Sequence, residues 1–193
     1  MKKVIIGLTG PTGSGKSSVS VVAEKLGFKI INCDSIARKA TEKGTQGLKA
    51  LCDAFGEDIL NTDGTLNRGK LAKKAFKNAE STKLLNSTIL PYIVSLVKEE
   101  MDAERILLDA PTLFESGIDS MCNATVAVLA DTQTRLKRII SRDNIDIQSA
   151  ILRINAGKGD DFYKENADYI IYNNTTPDDL NTQFEEIILN ILK

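Results

Sequence analysis

Residues Gly10-Pro11-Thr12-Gly13-Ser14-Gly15-Lys16-Ser17 fit the pattern GxxxxGK[ST] at every fixed position. Each residue type has a job in that pattern. The glycines let the loop turn its backbone N–H groups inward around phosphate oxygens, and the helix that opens near Lys16 adds the positive end of its dipole. Lys16 bridges the β- and γ-phosphates of a nucleoside triphosphate, and the hydroxyl of Ser17 is the expected Mg²⁺ ligand. Gly10, Pro11, Thr12, Gly13, Ser14, Gly15, Lys16, Ser17 and Ser18 together are the expected nucleotide contacts. The implied reagents are ATP and Mg²⁺. Such loops occur in kinases, GTPases and mechanical ATPases, so the motif names the cofactor and leaves the acceptor open.

Two carboxylates suggest an acceptor. Asp34 follows directly on a predicted strand, at the carboxyl edge where ligands of open α/β sheets bind. There it can orient an incoming hydroxyl and accept its proton; its plainer alternative is the N-cap of the helix that begins Ser35-Ile36-Ala37. Asp109 closes the apolar run Leu107-Leu108. It is the expected second-sphere magnesium or water orienter beside the loop and a candidate substrate contact, with a turn-initiating aspartate as the plainer alternative. The chain has no histidine, which removes Ser-His-Asp and Cys-His nucleophiles and histidine-ligated metals.

Val4-Ile5-Ile6-Gly7-Leu8-Thr9 is an apolar, β-branched run of the kind that forms a strand buried on both faces. The apolar period then changes to Val19, Val22, Ala23 and Leu26, one face of a helix, with Gly27 where a left-handed cap belongs. Phe28–Cys33, Arg105–Leu108, Thr125–Leu129 and Tyr169–Tyr172 read as four further strands. Five strands separated by helices imply a parallel, doubly wound α/β sheet flanked by helices. The stretch between the second and third strands has no convincing strand but a strong helical face at Leu85, Ile89, Tyr92, Ile93 and Leu96. It reads as a helical cap insertion over 35–103 within a single domain, 1–193. Phe55-Gly56 and Thr62-Asp63-Gly64 supply its turns. Thr176-Pro177-Asp178-Asp179 opens a last helix with a buried face of Leu180, Phe184, Ile187, Ile188 and Ile191.

In a chain of 193 residues, 25 basic and 26 acidic side chains nearly cancel. No nucleic-acid or membrane footprint is announced, and a bound anion must be held by a local site. Cys33, Cys52 and Cys122 are odd in number and widely spaced, which argues against a disulfide framework or a thiolate zinc site and for a reducing, cytoplasmic setting. After Met1-Lys2-Lys3 the apolar segment is too short for a signal or a membrane span. The expected partner is a small molecule, and the chain a monomer or small homo-oligomer.

Gly7-Leu8-Thr9-Gly10 leading into Gly13-Ser14-Gly15-Lys16-Ser17, then Asp34-Ser35-Ile36-Ala37-Arg38, Phe55-Gly56, Asp63-Gly64-Thr65-Leu66-Asn67-Arg68 and Pro111-Thr112-Leu113-Phe114-Glu115, resemble the successive motifs of dephospho-CoA kinases, in family order. Arg138, Arg142-Asp143 and the stretch from Ala167-Asp168 to Asn173 are similar to that family's lid helix and last strand. The resemblance implies a P-loop NTPase fold with strand order 2-3-1-4-5 and a lid over 138–166. It also implies transfer of the ATP γ-phosphoryl group to the 3′-hydroxyl of dephospho-CoA. In that strand order, two strand spacings of ~4.8 Å put Asp34 roughly 10 Å from the loop strand. By position, Asp34 is the catalytic carboxylate, with Lys16 and Arg142 acting on the phosphates. Arg68 binds substrate, Leu113 and Glu115 shape the acceptor pocket, and Arg142 and Arg138 close over the nucleotide, with Asn173 beside them. The chain departs from the family at Pro11-Thr12, Asn32, Thr112, Leu90-Pro91 and Gly157, where glycine-isoleucine, aspartate, leucine, histidine-proline and glutamine are usual. Gly157 and Gly159 around Lys158 suggest a flexible lid with a different cation. The rival readings are another small-molecule or nucleoside/nucleotide P-loop kinase, such as a shikimate-type enzyme, a tRNA-directed transferase, and a non-catalytic nucleotide binder.

Overall fold

The computed structural model describes residues 3–174 and 176–191. Met1 and Lys2, and the side chains of Pro177 and Asp178, lie outside the described residues. The chain divides into two compact units, one of residues 1–31, 103–114 and 119–193, the other of residues 32–102 and 115–118.

The first unit is the sheet and its helices. β1 (Val4–Thr9), β2 (Lys29–Asn32), β3 (Arg105–Asp109), β4 (Ala124–Leu129) and β5 (Tyr169–Tyr172) lie in the order β2-β3-β1-β4-β5. The β1–β3, β1–β4 and β4–β5 pairings are parallel. Helices α1 (Lys16–Lys25), α7 (Thr132–Asp143), α8 (Ile147–Asn155), α9 (Asp160–Asn166) and α10 (Pro177–Ile191) belong to this unit, and the short α6 (Leu113–Ser116) starts in it. All six residues of β4 are buried, which explains why the strands read as unbroken apolar runs rather than as alternating ones. On one face Ile6, Leu8, Leu107, Val126, Val128 and Ile171 pack against Val19 and Val22 of α1 and Leu180, Phe184, Ile187 and Ile188 of α10. Phe28 meets Phe184 edge-on at 6.2 Å between ring centres. On the other face Ala127 and Leu129 carry Tyr163 of α9, with Phe114 and Phe162 alongside. α10 starts as expected: Thr176 Oγ1 bonds to the Asp179 carboxylate at 2.9 Å, and the Asp179 amide donates back to that hydroxyl.

Four strand ends differ by one residue from the sequence reading: β2 runs Lys29–Asn32, β3 extends to Asp109 and β4 starts at Ala124. β2 ends at Asn32 rather than Cys33, because the Asn32 side chain accepts from the Ser35 amide and caps α2 (Cys33–Ala40). The N-cap role considered for Asp34 therefore belongs to Asn32, and Asp34 lies in the first turn of α2. Asparagine and aspartate cap about equally well, so the change from the usual aspartate leaves the helix start intact.

The second unit is helical: α2, α3 (Gln46–Phe55), α4 (Arg68–Ala75) and α5 (Ala79–Glu100). Leu51, Ile59, Leu71 and Ala75 form its core with Leu85 and Ile89 of α5. The Asp63-Gly64 turn sits between Leu60 and Leu66, which form a single antiparallel bridge, and the Asp63 carboxylate accepts from the Thr65 amide and hydroxyl. α5 runs through Pro91 without ending, and Ile93 and Val97 are its buried positions.

Candidate active site

β1 delivers the chain to the loop. Thr9, fully buried, donates its hydroxyl to the Pro111 carbonyl, and the Ala110 amide donates to the Leu8 carbonyl. These bonds lock the carboxyl ends of β1 and β3 side by side. Gly10 (φ 143°), Gly13 (φ 79°) and Gly15 (φ 93°) then turn the backbone through the region that favours glycine. A methyl group on Gly10 would lie 2.2 Å from the Val128 carbonyl oxygen, and one on Gly15 would lie 2.1 Å from the Asn173 side-chain nitrogen. α1 starts on Gly15 with no side chain capping it. The amides of Gly13, Gly15 and Ser17 meet no acceptor among the described residues. The Ser14 hydroxyl is buried without a partner. Lys16 Nζ donates to the Gly10 carbonyl at 3.2 Å, folding over the loop. Unmet amides, an uncapped helix start and a lysine folded over the loop fit an anionic polyphosphate.

Asp109 stands in register with Leu8, one residue before β1 leaves the sheet, and one of its carboxylate oxygens is buried. It belongs to the strand itself rather than to a turn after it. With the hydroxyl of Ser17, an exposed residue, it gives two hard oxygen donors of the kind Mg²⁺ takes when phosphates and water supply the rest. No cluster of three or more His, Cys, Asp or Glu side chains suited to a metal occurs among the described residues.

The arginines differ from expectation. Arg138 does not reach out as a lid cation: its Nη1 donates to the carbonyls of Ser14 (3.0 Å) and Gly13 (3.5 Å), and its Nη2 to the Asn173 carbonyl (3.0 Å). The Asn173 side chain, buried, donates to the Ser14 carbonyl at 2.9 Å. Both residues grip the loop from its carbonyl side. Arg142 is paired with its neighbour, Nε and Nη2 lying 2.8 and 3.0 Å from the two Asp143 oxygens, and Arg153 also binds that carboxylate. Arg142 holds the Asp143 carboxyl below the usual range, Arg153 adds to this, and Asp143 in turn pushes Arg142 up.

Leu113 is a correction. It is fully buried, and its methyl groups pack on Gly7, where an added methyl would be only 2.8 Å away, so it serves the core of the sheet rather than an acceptor pocket. Lys158 lies 5.1 Å from the Phe162 ring centre, a cation–π contact. α9 is seated on the sheet by Tyr163.

In the second unit, Asp34 is exposed and has no hydrogen-bond or ion-pair partner among the described residues. Arg68 begins α4 and donates to the Thr41 hydroxyl at 3.0 Å. The Glu115 carbonyl accepts from Asn86 at 2.6 Å, while its Oε2 is buried with no partner.

The sequence reading missed Arg135. It is 4% exposed, donates from Nε to the Thr12 carbonyl at 3.0 Å and faces Asp160 from Nη1 at 3.4 Å. The available signal was its spacing: Arg135 lies one turn before Arg138 and Ile139 on one helix face, where a charge at a buried position is rare without partners.

Known proteins are similar to this chain in sequence and fold. The sequence model of a family described as dephospho-CoA kinase matches residues 4–179. A dephospho-CoA kinase of Listeria monocytogenes is 37% identical over 194 residues, covering 97% of each chain. That of Oryza sativa is 33% identical over 97% of this chain and 84% of its own. A crystal structure of a Thermus thermophilus protein superposes with a TM-score of 0.80 at 27% identity, covering all of both chains. A shikimate kinase of Acinetobacter baumannii, at 17% identity and a TM-score of 0.55 over 98% of this chain and 93% of its own, shares the fold. With the family's sequence model running through the phosphate loop, the helical unit and the last strand, the chain belongs to the dephospho-CoA kinase family.

Proposed function

We propose that the chain transfers the γ-phosphoryl group of ATP to the 3′-hydroxyl of dephospho-CoA, yielding coenzyme A and ADP. The observation that carries this reading is a loop whose Gly13, Gly15 and Ser17 amides are unmet, in a chain whose relatives are dephospho-CoA kinases over nearly its whole length. The amides and Lys16 hold the triphosphate and take up charge as the bond between the γ-phosphorus and the bridging oxygen breaks. Asp34 orients the ribose hydroxyl and accepts its proton as the oxygen bonds to phosphorus. Ser17 and Asp109 are the residues that would hold Mg²⁺, which when bound would supply neutralisation of phosphate charge.

Arg68 and the unmet Glu115 oxygen serve the acceptor, the first as a cation for its phosphates and the second for a hydroxyl or amine. Arg142 is the phosphate-directed cation of the lid, released from Asp143 when nucleotide arrives. The packing of Tyr163 supports a mobile part of the lid limited to α8 and residues 156–159. Three cysteines with no disulfide among the described residues support a cytoplasmic setting.

A coupled ADP-release assay with Mg·ATP tests the acceptor, comparing dephospho-CoA with adenosine, nucleoside monophosphates and shikimate. Turnover with dephospho-CoA at least a hundredfold above the others is expected. Preference for any other acceptor refutes the assignment, and ATP binding without turnover on any of them leaves a nucleotide-binding protein.

A further inference from the structure

The loop's carbonyls are as organised as its amides. In a planar trans peptide the C=O of one residue and the N–H of the next point in opposite directions, and this chain has no cis bond among the described residues. Arg135 holds the Thr12 carbonyl, which turns the Gly13 amide the other way. Arg138 and Asn173 hold the Ser14 carbonyl, which does the same for the Gly15 amide. Gly13 and Gly15 are two of the amides that meet no acceptor among the described residues.

We infer that Arg135 is a positioning residue of the nucleotide site: a buried guanidinium that fixes the Thr12–Gly13 peptide so that the Gly13 amide faces phosphate before phosphate arrives. Arg135 is suited to this and not to binding phosphate itself. It is 4% exposed, and its own carbonyl backs onto Gly13, where an added methyl would lie 2.9 Å away. Asp160, at the start of α9, sets its orientation through Nη1, while Nη2 is buried with no partner among the described residues. A lysine offers one donor centre where this site uses a fork with two engaged edges. α9 itself is fixed to the sheet by Tyr163. The orientation of a single loop peptide is thus referred back to the sheet through α7 and α9.

The inference deepens the proposed function, resting on the loop being a phosphate site. Its test is the binding of inorganic tripolyphosphate, followed by calorimetry over a series of salt concentrations, together with KM for ATP and kcat, for wild type, Arg135→Gln, Arg135→Lys and Asp160→Asn. One hydrogen bond to a charged phosphate lost or misdirected corresponds to about a tenfold change in affinity. We expect Arg135→Gln to weaken tripolyphosphate and ATP by the same factor, about tenfold. Arg135→Lys should recover part of it and Asp160→Asn should lose about threefold, with the salt dependence unchanged in all three. A charge that touches phosphate would instead reduce that salt dependence when removed; such a reduction overturns the positioning role. Folded variants with wild-type tripolyphosphate affinity and wild-type KM also overturn it, even where their melting temperature falls. If Arg135→Gln does not fold, wild-type affinity in Asp160→Asn has the same force. Failure of the wild-type chain to bind either tripolyphosphate or ATP overturns the phosphate-site reading and the inference together.

Discussion

Replacing Gly10 by alanine places one methyl group where the fold has no room for it. The ideal Cβ lies 2.2 Å from the Val128 carbonyl oxygen, and real Cβ atoms essentially never approach closer than 3.0 Å, so the loop and β4 must separate by the difference, 0.8 Å. Val128 is fully buried in β4, a strand that pairs with β5 on one side and β1 on the other, and cannot yield alone. Overpacking of this kind costs about 1–3 kcal/mol. The backbone adds to it: φ of 143° is a conformation that L residues other than glycine rarely hold, at about 1–3 kcal/mol. The sum, about 2–6 kcal/mol, is a large share of the 5–15 kcal/mol that stabilises an ordinary domain, and for a chain of this size it lowers Tm by roughly 5–20 °C. Thermal unfolding followed by circular dichroism, with and without ATP, measures it. The ATP-induced rise in Tm should shrink as well, since the displaced loop is the one that carries the amides. A variant that melts within 2 °C of wild type and keeps its KM for ATP would show that the close approach of loop and β4 is not a constraint.

Lys16→Ala removes the cation folded over the loop and should cost about 3–4 kcal/mol of transition-state stabilisation, read as a fall in kcat of two to three orders of magnitude; near-wild-type turnover would contradict its role. Asp34→Asn should lower kcat far more than it raises KM for ATP, and a selective loss of ATP affinity would instead make Asp34 part of the nucleotide site. Asp131, Asp143 and Asp146 all have pKa values lowered in the folded chain, Asp131 and Asp146 chiefly by the amides of Thr134 and Ser149 that they cap, Asp143 chiefly by Arg142. Their contribution is complete above the unfolded carboxylate value near 4 and disappears as pH falls through the lower folded values. Asp146→Asn keeps the cap without the charge, so acid unfolding should become less steep below about pH 4 while stability at pH 7 stays nearly constant; an unchanged acid profile would refute the assignment.

The strands and the phosphate loop were legible because both are written in residue type. Val4–Thr9 is apolar enough to be buried on both faces, and the glycines of the loop fall where φ is positive. The helical face of α5 was legible too, although Val97, the most buried residue on it, was overlooked. What stayed hidden depends on main-chain partners, which no residue type announces. Arg138 reads as a solvated or lid cation until the Ser14 carbonyl is found beside it, and Arg135 reads as an ordinary helix charge until its burial is known. Leu113 lies in a stretch that resembles a substrate motif, and only the absence of a side chain on Gly7 shows which way it packs. Asn32 and Asp34 are two residues apart in a polar turn, and the sequence could not say which of them caps the helix.

The core shared by α1 and α10 bears on how the protein is made. Ile6, Leu8, Val19 and Phe28 are translated early, but the residues that cover them, Leu180, Phe184, Ile187 and Ile188, are nearly the last of those described. The helical unit, by contrast, is drawn mostly from one continuous stretch, residues 32–102. On the ribosome that stretch can consolidate while the first strand still waits for its cover, and the nascent chain must shield an apolar sheet face throughout elongation. Truncation within α10 should therefore yield a chain that stays bound to chaperones rather than a slightly weaker enzyme.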